Sequence, residues 1–247
     1  MTDSAQTTRD PENIALFAGL AAEWWDPEGS SRLLHRINPT RLGYIREMVV
    51  AHFGLDPRKR RALDGLRAID IGCGAGLVAE PLARMGAEVE GLDAGAELID
   101  AARAHAAAQQ LAIRYTAADI LAFAPRHKAR FDIITCLEVV EHVADIAPFL
   151  AALSSLLKPG GLLIISTPNR TPLSWAVLIA GAEKITRMIP DGGHDWKQFL
   201  TPDELTRHLA EAGLVVQGFK GLSWSPMKGF HLSDDLSINY IGTATKG

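Results

Sequence analysis

Three glycines, Gly72, Gly74 and Gly76, follow a short apolar run at 68–71, and a second apolar run closes on Asp93, seventeen residues after the last of them. No other stretch limits the fold as strongly. A buried strand that turns through glycines into a helix, followed by a strand ending on an acid, opens a nucleotide-binding α/β unit. Glycine lets the backbone bend sharply and approach a ligand, and a carboxylate at the next strand's end can accept both hydroxyls of a ribose.

The spacing narrows the ligand. Dinucleotide sites use G-x-G-x-x-G, whereas this chain has G-x-G-x-G preceded by Asp70. A carboxylate beside the turn repels a pyrophosphate but suits an ammonium group or a bound water. The motif resembles that of class I S-adenosylmethionine-dependent methyltransferases, with E/D-x-G-x-G-x-G first and a ribose-binding acid second. On that match Gly72, Gly74, Gly76 and Asp93 are expected at the cofactor, with Asp70 beside them.

The remaining pattern predicts an α/β protein. Helices are predicted over 14–25 and 42–53, the second started by Asn38-Pro39-Thr40. Strand and helix then alternate: strand 67–71, helix 77–85, strand 87–92, helix 97–109, strands 113–116 and 131–136, helix 146–157 and strand 162–167. Thr201-Pro202-Asp203-Glu204 is a capping box with proline at the first helical position, starting a helix that reaches Gly213. Strands 214–220 and 238–245 follow, too close in sequence for a crossover helix, so they should pair antiparallel. The expectation is a Rossmann-like, seven-stranded, mostly parallel sheet with an antiparallel last strand, helices on both faces and an N-terminal helical appendage. Residues 1–12 read as a tail and 13–247 as one domain, with helices in 13–60 and an insertion at 172–198.

Of the 247 residues, 47% are apolar and 22% charged, and the net charge is −4. That gives no electrostatic footprint for nucleic acid. Cys73 and Cys136 sit at core-like positions, which predicts a reducing, cytoplasmic compartment and no disulfide framework. The polar N-terminus lacks signal-peptide regions, and no apolar run reaches the roughly eighteen residues that a membrane span needs.

Ligands of an open α/β sheet sit at the carboxyl ends of its strands, here 72–76, Asp93, Asp119 and Leu137. The methyltransferase likeness puts Asp119 near the adenine amino group; a helix N-cap is its other role. After the fourth strand comes Glu138-Val139-Val140-Glu141-His142. If a helical turn begins at Glu138, positions i, i+3 and i+4 share a face, so Glu138, Glu141 and His142 would converge on a divalent cation. The carboxylates suit Mg²⁺, and the imidazole widens the choice to Mn²⁺, Fe²⁺ or Zn²⁺. Acids favoured by a helix dipole are the competing explanation.

The segments around Asn38 to Ile45, Thr135 to His142, Ser166 to Thr171 and Gly192 to Trp196, taken together, resemble the O-methyltransferases of ubiquinone biosynthesis, from about Asn13 onward. The resemblance implies that Arg41 and Leu137 meet the cofactor and that Glu138, Glu141 and His142 hold metal. It also implies methylation of catechol-type hydroxyls on polyprenylated phenol and quinol intermediates, at both the 2-polyprenyl-6-hydroxyphenol and 3-demethylubiquinol steps, alongside other enzymes of that pathway. A phenol with a pKa of about 10 is mostly protonated at pH 7, so a cation or a base must assist; without metal, His142 or His194 is the candidate base, with Glu138 beside them. A prenylated substrate raises membrane contact. Residues 173–189 combine an apolar stretch with interleaved Lys and Arg, suited to lying on the inner face of the membrane or to covering the pocket.

Rival readings fare worse. None of Tyr44, Tyr115 or Tyr240 is followed four residues on by Lys, and the glycine spacing is wrong, which weighs against a nicotinamide-dependent oxidoreductase. The fourth strand ends in Cys-Leu-Glu, not the Asn/Asp-Pro-Pro-aromatic turn of amino-methylating enzymes of nucleic acid. Methylation of another small hydrophobic phenol, and a non-enzymatic cofactor-binding role, stay open.

Overall fold

The structure, a computed structural model, describes residues 23–29, 31–178 and 195–247. Its frame is a sheet of β1 (Arg67–Ile71), β2 (Glu88–Asp93), β3 (Arg114–Ala117), β4 (Phe131–Leu137), β5 (Leu157–Pro168), β6 (Leu214–Ser225), β7 (Gly229–Ser233) and β8 (Asn239–Lys246). The order is β3-β2-β1-β4-β5-β8-β6-β7. β1 to β5 pair in parallel, while β8 is antiparallel to both β5 and β6. The Rossmann-like expectation therefore holds, with one more strand than the seven predicted.

Alternation along the strands divides the core. Ile69, Ile134, Leu163 and Ile165 face one layer, with α4 (Ile146–Leu156) and α5 (Pro202–Glu211). Ala68, Ile133, Leu162 and Ile164 face the other, with α1 (Arg32–His52), α2 (Ala79–Arg84) and α3 (Ala96–Ala108). Strands covered on both faces read as unbroken apolar runs, which is why β1, β4 and β5 were legible. Asp145 caps α4 by accepting from Ala147 N, and the Thr201–Glu204 capping box of α5 is present in both directions.

Three differences have local causes. Asn38-Pro39-Thr40 does not start a helix: α1 begins at Arg32 and runs through Pro39. Ile37, Asn38, Arg41, Tyr44, Ile45 and Val49 recur at helical spacing and are buried, and Pro39 lies on the exposed side. Packing of that face outweighs the one backbone bond proline removes. Of the helix predicted over 14–25, Glu23 is 3₁₀ and Trp24-Trp25 are turn, ahead of Asp26-Pro27, where a residue before proline avoids the helical region; the rest lies outside the described residues. β5 starts at Leu157 rather than 162, because Pro159, Gly160 and Gly161 form an irregularity within it, where the partner of Leu157 is Phe131 and that of Leu162 is Ile133.

The eighth strand, β7, pairs with an extended β6 as a hairpin, Gly221 opposite Ser233 and Ser225 opposite Gly229. Its alternation is only Phe230 and Leu232 within five residues, too short a signal to separate from a loop.

Candidate functional site

At the carboxyl end of β1 the chain turns through Gly72, Gly74 and Gly76 with φ of 69°, 52° and 97°. All three are in the left-handed region that side chains resist, so the glycines are required by backbone geometry. Gly72 N and Cys73 N both donate to Leu92 O, at 2.8 and 3.2 Å, which ties the turn to β2. Asp93, buried at the end of β2, accepts from Gly74 N through one carboxylate oxygen and from Gly95 N through the other, each at 2.9 Å. These two bonds hold the carboxylate rigidly at the end of β2, beside the turn.

Asp70 lies beneath the turn, 3% exposed, and accepts from Thr135 Oγ1 at 2.7 Å. Burial, reinforced by the charge of Asp93, pushes its pKa up to about 7, against the lowering effect of Thr135. Asp119 caps the helical turn Ile120–Phe123, its Oδ1 accepting from Leu121 N at 2.8 Å. The capping role expected of Asp119 is thus present, and the same carboxylate borders the cleft after β1. Gly72, Asp93 and Asp119 border an open cleft of ≈ 260 Å³ with Ile120, Val139 and Phe149 as apolar walls. The apolar walls suit a base, and the acids suit a ribose and an amino group.

Sequence reasoning overlooked the supports of this turn. A Cβ on Gly74 would stand 2.9 Å from Trp24 Cζ2. Trp25 donates from its indole nitrogen to Ala75 O at 3.0 Å and stacks at 3.5 Å on His105, which reaches buried Glu80 at 2.6 Å. On the other side Tyr115 packs where a Cβ at Gly76 or Gly91 would fall. The available signal was a Trp-Trp pair in a chain with only 6% aromatic residues.

The second half of the site follows β4. Ile71 is opposite Cys136, so Leu137 and Glu138 stand level with the start of the glycine turn. Leu137, half-buried, closes β4 and packs toward the layer that contains α1. Glu138 has φ of +55°, and its N donates to Ser166 O at 3.0 Å. This left-handed backbone answers the expectation of a helical face. The helical turn is a 3₁₀ turn at Val140–His142 that excludes Glu138, whose carboxylate is held by residues of α1, β5 and β8. Arg41 Nη2 meets Glu138 Oε1 at 2.9 Å, Ser166 Oγ donates to the same oxygen at 2.5 Å, and Asn239 Nδ2 donates to Oε2 at 2.7 Å.

Glu141 instead turns inward. It is 2% exposed, accepts from Thr167 Oγ1 at 3.0 Å, and its Oε1 has no hydrogen-bond partner; His142 Nε2 lies 4.0 Å from it. Burial, then the nearby Glu138, raises the Glu141 pKa well above the carboxylate range. Among the described residues no three acidic, His or Cys side chains are arranged as a metal set. Glu138, Glu141 and His142 are thus neighbours without being the convergent ligand triad the spacing predicted. Two further orphaned atoms, Arg41 Nε and Asn239 Oδ1, are buried in the residues that touch Glu138. His194 lies outside the described residues, as does residues 179–189 of the amphipathic segment.

Comparison with known proteins agrees with this geometry. The family described as "Methyltransferase domain" matches residues 32–217. The chain is 47% identical over 246 residues to the ubiquinone biosynthesis O-methyltransferase of Parvibaculum lavamentivorans, covering 98% of this chain and 96% of that one. It is also 47% identical to that of Cereibacter sphaeroides, with 98% and 99% covered. Among solved structures, magnesium protoporphyrin IX methyltransferase from Synechocystis PCC 6803 with bound SAH superposes with a TM-score of 0.67 at 20% identity, covering 97% of this chain and 98% of that one, a likeness of fold. The nicotinamide and nucleic-acid alternatives fall away, and the chemistry is that of an S-adenosylmethionine-dependent methyltransferase. This chain is a member of the ubiquinone biosynthesis O-methyltransferase family, an S-adenosylmethionine-dependent O-methyltransferase.

Proposed function

We propose that the chain methylates catechol-type hydroxyls of polyprenylated intermediates of ubiquinone biosynthesis, at both the 2-polyprenyl-6-hydroxyphenol and the 3-demethylubiquinol steps. The observation that supports a phenolic acceptor is the polar cluster around Glu138, level with the glycine turn, where a strained backbone is held by Arg41, Ser166 and Asn239. Non-glycine residues in this region cost about 1–3 kcal/mol and persist where the surroundings over-determine them, commonly at functional sites.

S-adenosylmethionine supplies an electrophilic methyl group on its sulfonium when bound. The protein must align an oxygen with that methyl and remove a phenolic proton. Asp93 and Asp119 hold the nucleoside end, and Asp70 with the turn's backbone keeps the other end against β1. In this reading His142 takes the phenolic proton, Glu138 orients the hydroxyl, and Arg41 balances the charge of Glu138. His194 is retained as a second candidate base on sequence alone. Apolar Leu137 and Val139 flank the polar groups and limit water there.

A divalent cation, Mg²⁺ first among the choices, belongs to the same proposal. Glu141 Oε1, buried without a partner, and His142 are the residues that fit it, whereas Oε1 of Glu138 already meets Arg41 and Ser166, leaving only Oε2, bonded to Asn239, to face the substrate hydroxyl. Bound there, a cation would favour the phenolate.

Contact with the inner face of the membrane through 173–189 is the remaining element. Leu173, Trp175 and Val177 are 49%, 50% and 41% exposed, an unusual display of apolar surface at the start of the segment. No helix among the described residues is long and apolar enough to cross a membrane.

Transfer of labelled methyl to a short-chain prenyl catechol and to the matching demethylubiquinol tests the reading. Turnover of both is expected, with kcat reduced roughly a hundredfold or more in His142→Gln, in the range of a lost general base. Methylation of simple phenols in preference to either prenylated substrate would overturn it.

A further inference from the structure

The β6–β7 hairpin reaches past the sheet. Gly221 lies opposite Tyr240, and Tyr240 opposite Thr167, so Gly221 is level with the carboxyl end of β5. Residues 222–225 continue beyond that level, and at ~3.3 Å per residue they project roughly 13 Å past the edge where the cofactor turn and Glu138 sit. The hairpin is pinned to α1 near its outer end, because Thr40 Oγ1 donates to Phe230 O, opposite Trp224, at 3.0 Å, and only the turn beyond stands free of that tie.

One face of the hairpin is apolar along its whole length. Leu222 is opposite Leu232 and Trp224 opposite Phe230, so these four side chains share a face. Leu222 is 5% exposed under α1, but Trp224 is 61% exposed and Met227, at the tip, 97%. An apolar stripe thus leaves the core and ends in solvent, with Lys228 exposed beside it and Arg36 exposed on the adjoining α1. Leu173 and Trp175 emerge from the same edge, five and seven residues after the end of β5 at Pro168.

We propose that the hairpin tip, through Trp224 and Met227, is an anchor that rests in the headgroup region of an anionic bilayer and turns the carboxyl edge of the sheet toward the lipid. This rests on the reading that the acceptor carries a prenyl chain and is met at a membrane. Tryptophan favours the boundary between water and hydrocarbon, and the flanking cations favour anionic headgroups. The small size of the tip also points to lipid. One Trp and one Met offer a few hundred Å² at most, well below the ~800 Å² per partner of a stable protein interface, whereas a surface anchor needs only a few inserted side chains.

The test is co-sedimentation with phosphatidylcholine–phosphatidylglycerol vesicles. Trp224→Ser combined with Met227→Ser should lower partitioning about tenfold, since binding follows the apolar area inserted. Val215→Ser is the control, because Val215 is also 61% exposed but lies on β6 near the opposite edge of the sheet; its partitioning should match the wild type. Lys228→Glu should weaken binding to anionic vesicles and leave binding to pure phosphatidylcholine unchanged. Turnover of a water-soluble short-chain catechol without vesicles should be the same in all four proteins, which certifies the fold. If the wild type binds vesicles and the double variant binds equally well, the anchor is wrong and the membrane reading stands; if the wild type does not bind, both fall. Conversion of a wild-type dimer to monomer by the double substitution, read by sedimentation velocity, would also overturn the proposal by making the tip an interface between copies.

Discussion

Arg41 Nη2 and Glu138 Oε1 stand 2.9 Å apart, with side chains only 5% and 18% exposed, and join α1 to the strained residue that follows β4. Removing one partner of such a pair leaves an uncompensated charge, here close to Glu141. Arg41→Leu should therefore cost about 3 kcal/mol, and the double variant with Glu138→Leu should cost less than the sum of the two single changes. Urea denaturation of the four proteins reads the coupling directly, and additive losses would show that the two side chains act independently.

Gly74 combines φ of +52° with a side-chain site filled by Trp24. Gly74→Ala should lose about 1–3 kcal/mol from backbone strain alone and displace the N–H that Asp93 accepts. Adding Trp24→Ala should relieve the contact with the indole without relieving the strain, so binding of S-adenosylhomocysteine by calorimetry should stay weak in both. Recovery of wild-type affinity in the double variant would assign the whole effect to the indole.

Asp70 makes stability depend on pH with a definite sign. Its pKa rises from 3.8 to about 7 on folding, mainly through burial, so between those values the native state holds a proton the unfolded chain has released. Stability should fall as pH rises through that window, by about 4 kcal/mol if no other group compensates, and level off above it. Asp70→Asn should flatten this part of the curve. Urea midpoints from pH 4.5 to 8.5 decide the matter: parallel curves for the two proteins would mean that Asp70 is ionised throughout.

The alternating frame was legible because β1, β4 and β5 are buried on both sides and the glycine turn has a single geometric solution. What escaped the sequence depends on contacts between distant positions. Pro39 reads as a helix start until the buried face from Ile37 to Val49 is seen to continue past it. Glu138 reads as the first residue of a helical face until its left-handed backbone, fixed from β5 and β8, turns it toward Arg41 and Asn239, the latter 101 positions later. Trp24 has no periodic partner in the sequence, and its role over Gly74 exists only once the turn is folded. The positions of Asp93 and Asp119 at strand ends were legible because the carboxyl ends of strands are fixed by the order of elements alone.

Removal of divalent cations separates the two ways of assisting the phenol. With a chelator, turnover on a prenyl catechol should fall and return on adding Mg²⁺, and Glu141→Gln should abolish the return while retaining S-adenosylhomocysteine binding. Turnover indifferent to chelator would leave proton removal to His142, and the loss in His142→Gln would then persist at every Mg²⁺ concentration.

β8 comes after β6 and β7 in sequence yet lies between β5 and β6 in the sheet. A hairpin emerging from the ribosome before it has no strand of the sheet to join, and Asn239, which opens β8, is not yet there to hold Glu138. Synthesis of one late segment therefore docks the hairpin and completes the polar cluster together, so a nascent chain stopped before it would carry the glycine turn but not the completed cluster around Glu138.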